Sequence, residues 1–352
     1  MKRLDDAMLK TIRILRDESQ RSALANAARH RLGGDALSFL CETHQELPPQ
    51  PAAARRTLIL FAHYDPQGVI DPYVAYYLNE LNRLGATIIF VSGSPTLIPE
   101  SVAPIKSVCA GIYTRHTLSL DFGSWHLAWC ILRQHGWSLD QFDRLVLAND
   151  SVYGPLYPIE EMWNTFRDAD MYGAIESEEQ GLHLQSFFLV WDLNPRTRRF
   201  LNRFWNRFHY IVDKNTLVQK YEIGLSRRAR KAGLRIKPFL SAATIKAAYE
   251  QSSAHQWADK FDGEPFNNTL YFWDGLIEHL RFPFLKTVLP RRNSPWHDSM
   301  AELQNFLEQH TAYPYALIQS NLDRLGCGAA SWGVESPAGS TAATADVAGQ
   351  TP

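Results

Sequence analysis

The segment 57–93 most constrains the fold of this 352-residue chain. It begins with one apolar run, TLILFAH (57–63), and ends with another, ATIIFVSG (86–93). Between the two runs, Asp71 and Pro72 open a stretch whose apolar residues recur at helical spacing. A strand, a helix and a strand in this order predict a parallel strand pair joined by a right-handed crossover. The segment therefore predicts an open α/β sheet.

The alternation of apolar runs and helical stretches continues along the chain. Further strands are predicted for the apolar runs at 109–115, 144–148, 171–177, 183–192 and 234–239. Helices are predicted after the loop DFGSW as far as Gly136, over 196–208, over 216–232 and near 297–310. We therefore predict an α/β fold with a Rossmann-type, mostly parallel sheet flanked by helices.

The two ends of the chain depart from this pattern. Residues 1–47 have apolar residues at helical spacing, and the Pro-rich stretch after them predicts a linker, so 1–56 is expected to be a helical region with a linker. The α/β domain is predicted for 57–300, followed by a C-terminal helix within 301–327. The segment 328–352 is rich in Ala, Gly, Ser and Thr, which predicts a disordered tail.

Composition and charge exclude several classes of function. The 36 Lys and Arg residues nearly balance the 37 Asp and Glu residues, so no electrostatic argument favours nucleic acid. The four cysteines are scattered without the spacing of a zinc site, which favours a reducing compartment. No apolar run approaches the roughly 20 residues of a membrane span. We therefore expect a cytoplasmic protein that does not bind nucleic acid.

The triplet Asn149-Asp150-Ser151 directly follows the apolar run at 144–148. Open α/β sheets bind their ligands at the carboxyl ends of the strands. A carboxylate in that position suits Mg²⁺ or Mn²⁺ bridging to phosphate oxygens, which makes Asp150 the candidate metal ligand. The same three residue types also favour turns and helix caps, so a turn is the alternative at this point.

His63, Tyr64 and Asp65 end the first predicted strand. In a parallel sheet they lie on the same edge as Asp150, because the carboxyl ends of the strands share one side. A polar loop in that place suits a nucleotide base or ribose. An ordinary turn explains the Tyr-Asp-Pro sequence equally well.

The segment DFGSW (121–125) joins a predicted strand to a helix. Asp121 suits hydrogen bonds from a base or a sugar hydroxyl, and Gly123 permits a close approach of the backbone to a ligand. Taken alone, a capping Asp followed by a Gly turn is the simpler interpretation. The Asp-Phe-Gly of kinases is excluded, since the chain has no Gly-rich loop and no HRD sequence.

Glu222 is predicted at the start of a helix, on the same side as Leu225 and Ala229. An acid in that place can act as a general base on a hydroxyl group. The same helix carries the basic residues Arg227, Arg228, Arg230 and Lys231. A solvated helix face is the ordinary explanation of such a run, and contact with phosphate or with an anionic membrane is the functional alternative.

His183 and Gln185 alternate on a predicted strand and are expected to face one side of it. Such a polar pair on an apolar strand suits hydrogen bonds to a sugar. A hydrogen-bonded core histidine is the more common case.

Six segments occur in this order within about 57–295: LFAHYDPQGVIDPYV, DFGSW, LANDSVYGPL, HLQSFFLVW, YEIGLS and NNTLYFWDGLIEHLRFPFLK. Together these segments resemble the rhamnan synthesis F family. Members of this family are glycosyltransferases of polysaccharide assembly. The resemblance implies a GT-A-like fold, a nucleotide-sugar donor, namely dTDP-L-rhamnose, and rhamnosyl transfer to a growing glycan or lipid-linked glycan.

A wider resemblance to family 2 glycosyltransferases implies roles for individual residues. Asn149-Asp150-Ser151 stands where those enzymes have Asp-x-Asp, which holds a metal and the donor diphosphate, and Glu222 stands where they have the catalytic base. DFGSW is similar in position to their donor-side Asn-x-Gly loop. Two departures bear on these roles: the strand end has one carboxylate instead of two, and Tyr221-Glu222 replaces Glu-Asp.

The mechanism implied by these resemblances is a single displacement with inversion. The donor nucleotide would lie against His63–Asp65 and Asp121, and the diphosphate against Asp150, with Asn149 and Mg²⁺ or Mn²⁺. Glu222 would be the base, and His183 and Gln185 would position sugar hydroxyls. The expected location is cytoplasmic, with a peripheral position at the inner face of the plasma membrane as the further possibility. The alternatives are a non-catalytic glycan- or nucleotide-binding protein and a transferase of another hexose.

Overall fold

The computed structural model of the protein describes residues 41–52, 56–117, 119–251, 264–291 and 302–327. The predictions for 1–40 and for the tail 328–352 lie outside the described residues, as does the beginning of the helix expected near 297–310.

The described strands and helices alternate over most of the chain. The strands are β1 (Cys41–Gln45), β2 (Thr57–His63), β3 (Ala86–Ser92), β4 (Cys109–Arg115), β5 (Arg144–Asn149), β6 (Val152–Tyr153), β7 (Met171–Ser177), β8 (His183–Leu184), β9 (Phe188–Asp192), β10 (Ile236–Leu240) and β11 (Leu285–Lys286). The α-helices are α1 (Pro72–Arg83), α2 (Pro99–Val102), α3 (Leu120–Gln134), α4 (Ile159–Trp163), α5 (Pro195–Asn206), α6 (Lys214–Leu217), α7 (Gly224–Lys231), α8 (Ala242–Gln251), α9 (Asn268–Tyr271), α10 (Trp273–Glu278), α11 (Val288–Arg291), α12 (Leu303–His310) and α13 (Tyr315–Leu325). None of these described helices is long and apolar enough to span a membrane.

The main sheet has the strand order β1-β4-β3-β2-β5-β9-β7-β10, and β8 pairs with β7 beside it. Strands β4, β3, β2 and β5 are parallel neighbours, and β7 and β10 form a second parallel pair. Strand β9 lies between β5 and β7 and is antiparallel to both. The predicted α/β fold, with a mostly parallel sheet flanked by helices, is confirmed.

The strand order reverses beside β2. From β2 the chain adds β3 and then β4 on one side, whereas β5 joins the other side, where Ala62 pairs with Asn149. Such a reversal opens a crevice between the carboxyl ends of the two central strands, and doubly wound sheets bind their ligands there. The fold therefore brings the polar residues after β2 and β5 into one crevice.

Two hydrophobic cores cover the two faces of the sheet. Phe61 of β2 packs on one face against Tyr77 of α1, with ring centroids 5.5 Å apart. Leu60 points to the opposite face and joins the core that contains Trp125 of α3. These side chains are fully buried, and burial of each contributes about 1.5–3 kcal/mol. The alternation explains why β2 is apolar at every position.

Helix α1 begins and ends where the sequence predicts. Pro72 occupies its first turn, and Gly85 follows its end with φ +69°, a conformation that glycine adopts without strain. Asp71 precedes the helix but makes no side-chain capping bond. Its carboxylate instead binds Asn321 and Arg324 of α13, as described below.

The prediction of a helix for 1–47 is wrong at Cys41–Gln45, which form β1. This strand pairs antiparallel with β4, and the Gln45 side chain donates a 2.6 Å hydrogen bond to the carbonyl of Cys109. Leu47 just beyond it donates from its backbone to the Tyr113 hydroxyl at 2.8 Å. The pairing depends on residues far along the chain, which local helical spacing cannot register.

Two further predicted elements are each divided in two. The single strand predicted for 183–192 is wrong, because residues 185–187 form a turn between β8 and β9. The single helix predicted within 301–327 consists of α12 and α13. Pro314 separates the two helices and adopts an extended conformation, with ψ 102°.

Candidate active site

The end of β2 places a neutral histidine beneath the crevice. His63 is buried, its Nδ1 lies 3.0 Å from the Ser92 hydroxyl of β3, and its Nε2 lies 3.8 Å from Asp150 Oδ2. Burial is the main cause that lowers the pKa of His63 to about 4. The imidazole is therefore uncharged at neutral pH and contributes a polar contact rather than a cation.

Asp150 follows β5 and lies across the crevice from β2. Its Oδ2 accepts a 3.0 Å hydrogen bond from the backbone nitrogen of Tyr64, and its backbone carbonyl accepts one of 3.0 Å from the Tyr73 hydroxyl. Burial raises the pKa of Asp150 to about 7. A carboxylate with such a pKa gains stability from any cation that binds beside it.

Asn149 connects Asp150 to the start of α3. Its side-chain nitrogen donates a 2.7 Å hydrogen bond to Asp121 Oδ2. Its side-chain oxygen accepts from the backbone nitrogen and the hydroxyl of Ser151, at 3.1 and 2.7 Å. Burial, followed by the charge of Asp150, raises the pKa of Asp121 to about 7. The two aspartates therefore face one crevice, and the charge of Asp150 raises the proton affinity of Asp121.

The loop predicted at 121–125 is wrong, because α3 already begins at Leu120. Ser119 and Leu120 turn the chain into the helix with φ values of 82° and 45°, an uncommon conformation for residues other than glycine. Gly123 is buried inside the first turn, and its backbone nitrogen donates to the Ser119 carbonyl at 2.9 Å. The expected approach of a ligand to Gly123 therefore gains no support from its position.

Arg115 at the end of β4 anchors this helix start. Its Nε donates to the Ser124 hydroxyl at 2.7 Å, its Nη2 donates to the Leu120 carbonyl at 2.8 Å, and its Nη1 donates to the Thr117 carbonyl. These bonds fix the turn that presents Asp121 to the crevice.

Glu222 lies on the opposite wall, in a π-helical segment, Val218–Ile223, between α6 and α7. The predicted position at a helix start is wrong, because α6 precedes this segment. Ser186 donates two hydrogen bonds to Glu222 Oε1, from its backbone nitrogen and from its hydroxyl, both 2.9 Å long. Among the described residues, Oε2 has no hydrogen-bond partner. Single π turns inside helices are frequent at functional sites.

Lys286 is a site residue that the sequence reasoning missed. It lies on β11, paired with Val152 of β6, and its Nζ is 4.1 Å from the centre of the Phe187 ring. Burial lowers the pKa of Lys286 to about 8, against the opposing charges of Glu222 and Asp121. The available signal was its place at the end of the apolar run FPFLK, within the last of the resembling segments.

The loop after β2 is held by a residue near the end of the described chain. Arg324 donates from Nη2 to Asp65 at 2.6 Å and to Asp71 at 2.5 Å, and from Nε to Asp71 at 2.8 Å. The other oxygen of Asp65 accepts from the backbone nitrogens of Gln67 and Val69. Both Asp65 oxygens thus hold the loop through hydrogen bonds within the protein, and these bonds direct neither oxygen toward a ligand. Tyr64 beside it has a side chain that is 44% exposed.

Arg291 lies beside the same loop. It donates from Nη2 to the Tyr73 hydroxyl at 3.2 Å and from Nε to Asn321 at 3.0 Å. Because the Tyr73 hydroxyl also donates to the backbone carbonyl of Asp150, Arg291 stabilises the end of β5 through Tyr73.

His183 and Gln185 do not share one strand face. The Nδ1 of His183 lies 2.7 Å from the Gly181 carbonyl, whereas Gln185 lies in the turn and bonds Asn267 and Thr269, each at 3.3 Å. Neither side chain is hydrogen-bonded to a described residue of the crevice. Gln185 nevertheless directly precedes Ser186, the partner of Glu222.

The basic run of α7 consists of two half-buried residues and two exposed residues. Arg228 stacks on Phe204 and donates to the Lys220 carbonyl at 2.7 Å, and Arg230 donates to the Leu182 carbonyl at 2.6 Å. Arg227 and Lys231 are exposed. Only the exposed pair retains the predicted alternative of contact with phosphate or membrane.

Comparison with known proteins assigns the chain to a family. The family model described as rhamnan synthesis protein F matches residues 88–337. The chain belongs to the rhamnan synthesis protein F family. The resemblance stated from the motifs is thereby confirmed, and the predicted class of enzyme, a glycosyltransferase, stands with it.

No curated protein matches this family member significantly. A similar solved structure is the mannosyltransferase PcManGT from Pyrobaculum calidifontis in complex with GDP-Man and Mn²⁺, at 11% identity and a TM-score of 0.34, with 93% of this chain and 88% of that chain covered.

The crevice of this rhamnan synthesis protein F member offers little protein coordination for a metal ion. Among the described residues, no group of three or more His, Cys, Asp or Glu side chains forms a candidate metal site. Asp150 supplies one carboxylate, while the side-chain oxygen of Asn149 is bonded twice by Ser151. Mg²⁺ is commonly held by one or two carboxylates together with substrate phosphates. One carboxylate, that of Asp150, is therefore compatible with a cation that binds together with a diphosphate.

Proposed function

We propose that this glycosyltransferase moves L-rhamnose from dTDP-L-rhamnose to a growing cell-surface glycan, with inversion at the anomeric carbon. One observation carries the proposal: the residue that holds Glu222 and the residue that holds the end of β5 are adjacent in the chain. Ser186 binds Glu222, and the next residue, Phe187, accepts a 3.3 Å hydrogen bond from the backbone nitrogen of Asn149. The candidate base, Glu222, and the candidate donor-binding carboxylate, Asp150, are therefore held through neighbouring residues of one turn and face one crevice.

The donor is proposed to lie over the crevice between β2 and β5. His63, Tyr64 and the loop shaped by Asp65 would contact its nucleotide, and Asp121 would accept a hydrogen bond from the base or the ribose. Asp150 would hold Mg²⁺ or Mn²⁺ on the diphosphate, and such an ion would supply Lewis-acid stabilisation of the leaving group. Support for this orientation comes from the position of the crevice at the reversal of strand order.

Glu222 is proposed to act as the general base. Its Oε1 is occupied by Ser186, so Oε2 is the oxygen that would take the proton of the acceptor hydroxyl. The acceptor oxygen then forms a bond to the anomeric carbon, while the bond from that carbon to the diphosphate oxygen breaks and the nucleoside diphosphate leaves. A carboxylate fixed at one oxygen meets the geometric demand of this role, since it cannot rotate away from the attacking group.

The acceptor is proposed to approach from the side of the β8–β9 turn. Gln185 precedes Ser186 in this turn and would position a sugar hydroxyl, with His183 at the edge of the same region. A lipid-linked acceptor would bring the protein to a membrane surface, where the exposed Arg227 and Lys231 would meet anionic headgroups.

The test is a transfer assay with the purified full chain, nucleotide-sugars of several bases and hexoses, and glycan acceptors. Wild type is expected to use dTDP-L-rhamnose, and the product should have the anomeric configuration opposite to that of the donor. Asp150→Ala and Glu222→Gln should lower the rate at least about 100-fold, as for removal of a catalytic base. The matched controls are Asp323→Ala and Glu178→Gln, which change exposed carboxylates outside the crevice. Normal transfer by both crevice variants would overturn the proposal.

A further inference from the structure

Lys286 reaches the crevice through a short antiparallel pair. Strand β11 pairs with β6, which begins two residues after Asp150, and the backbone nitrogen of Thr287 donates to the Ser151 carbonyl at 3.0 Å. The segment that carries Lys286 is thus bonded directly to the strand end that carries Asp150. Its position relative to the carboxylates is fixed by backbone pairing rather than by a flexible loop.

The ammonium group of Lys286 is partly desolvated without being paired. The side chain is half-buried, and its Nζ lies over the Phe187 ring. Among the described residues, Lys286 has no hydrogen bond and no ion pair. Withdrawing an ammonium group from water is unfavourable unless a counter-ion binds it. Contact with an aromatic face offsets only part of that cost.

Two acids of the crevice and one aromatic ring lie near Lys286. Glu222 and Asp121 are close enough to act on its charge, but each is already bonded elsewhere, to Ser186 and to Asn149. Phe187 covers one side of the ammonium group and denies it water there. One oxygen of each acid is therefore occupied, and no described hydrogen bond or ion pair joins either acid to Lys286. A ligand with negative charge satisfies this arrangement, whereas a neutral sugar does not.

We propose that Lys286 binds the diphosphate of the donor and stabilises the negative charge that develops on it as the sugar departs. The inference rests on the proposed function and adds a residue to it. When the bond between the anomeric carbon and the diphosphate oxygen breaks, the electron pair remains on that oxygen. Lys286 holds this charge through a charge-assisted hydrogen bond and keeps its own proton. The contribution from the protein is independent of any metal ion held at Asp150.

Binding measurements by calorimetry on the full chain separate this role from simple support of the crevice. The probes are thymidine, dTMP and dTDP, with UDP and GDP in parallel. The variants are Lys286→Gln, which removes the charge, Lys286→Arg, which keeps it, and Lys237→Gln, a control at an exposed lysine on β10. Lys286→Gln should weaken binding of the nucleoside diphosphate about tenfold or more, as expected for loss of a charge-assisted bond. Affinity for thymidine should change less than about twofold, and the control should match wild type.

Each outcome distinguishes the two proposals. If Lys286→Gln weakens thymidine and dTDP equally, Lys286 only supports the shape of the site, and the inference is overturned. The same holds if dTDP binds Lys286→Gln normally while wild type transfers the sugar, and the proposed function then stands. Rescue by Lys286→Arg supports the inference. If wild type binds none of the nucleoside diphosphates, the proposed function fails and the role of Lys286 fails with it.

Discussion

Ser186 donates both its backbone nitrogen and its hydroxyl to a single oxygen of Glu222, and each hydrogen bond is 2.9 Å long. The second oxygen of the carboxylate has no hydrogen-bond partner among the described residues. The contact lies inside a helical stretch that changes to π geometry over Val218–Ile223. The relationship holds one carboxylate oxygen in place while it leaves the other available for a proton.

Ser186→Ala should lower kcat about tenfold and leave KM nearly unchanged. The change removes one of the two bonds to Oε1, so Glu222 is less well oriented but keeps its charge. Ser186→Thr retains the hydroxyl and should recover most of the rate. Steady-state kinetics of the three proteins make the test, with Ser101→Ala, at a half-buried position outside the crevice, as control. An unchanged kcat in Ser186→Ala would show that the orientation of Glu222 does not limit the reaction.

Asp121→Asn should stabilise the ligand-free protein more at pH 8 than at pH 5. The pKa of Asp121 is raised from 3.8 to about 7 in the folded protein, so between these values the folded state binds more protons than the unfolded state. Stability therefore falls as the pH rises through this interval, and the loss is complete about one unit above the folded pKa. The variant lacks this loss, and its advantage over wild type in free energy of unfolding should grow by about 2–3 kcal/mol from pH 5 to pH 8.

The measurement for Asp121 is urea unfolding of wild type and variant at both pH values. Taking the difference between the two proteins removes contributions of other groups, such as His63, whose lowered pKa has the opposite effect. An advantage that is equal at the two pH values would contradict a raised pKa at Asp121.

Arg324→Ala should destabilise the protein by about 3 kcal/mol. The change leaves Asp65 and Asp71, whose side chains are 8% and 5% exposed, without their cation. Because both lie beside the crevice that we propose binds the donor, binding of the nucleoside should weaken as well. Urea unfolding and calorimetry measure the two effects. Arg56→Ala breaks an ion pair whose side chains are 54% and 61% exposed, and stability should hardly change. A comparable loss in both variants would contradict the prediction.

Gly68→Ala and Gly85→Ala should differ sharply although both residues have a positive φ, of 75° and 69°. Each substitution costs about 1 kcal/mol for the left-handed conformation. At Gly68 the added Cβ would also lie 2.3 Å from the Thr96 carbonyl oxygen, whereas at Gly85 nothing lies within 4 Å. Gly68→Ala should therefore cost several kcal/mol more and weaken donor binding, since the loop after β2 must move. Equal thermal unfolding midpoints would contradict the expected clash.

The central sheet was predictable because its strands are continuous apolar runs that end in turn residues. The same reasoning placed Asp150 at a strand end and singled out Glu222, because an isolated acid beside a buried stripe is visible in one sequence. The predictions failed where structure depends on distant partners. Strand β1 forms only against β4, and the turn at 185–187 divides a stretch that is mostly apolar and aromatic.

The basic residues of the site show the same limit. Lys286 lies on a strand of two residues, which has no periodicity of its own, and pairs with β6 only in the folded protein. Arg324 lies on a helix whose surface pattern resembles that of many solvent-facing helices. Its two acidic partners precede it by 259 and 253 residues. Charge pairing over such separations leaves no local signal.

This separation also orders events during synthesis of the protein. A ribosome that has translated the central sheet has already released the loop with Asp65 and Asp71, but not the arginine that neutralises them. Chains fold progressively from the amino end as they emerge. A nascent chain that stops before residue 324 would thus carry Asp150 and Glu222 without the cation that holds the loop after β2. This loop can therefore take its final shape only after translation has passed residue 324.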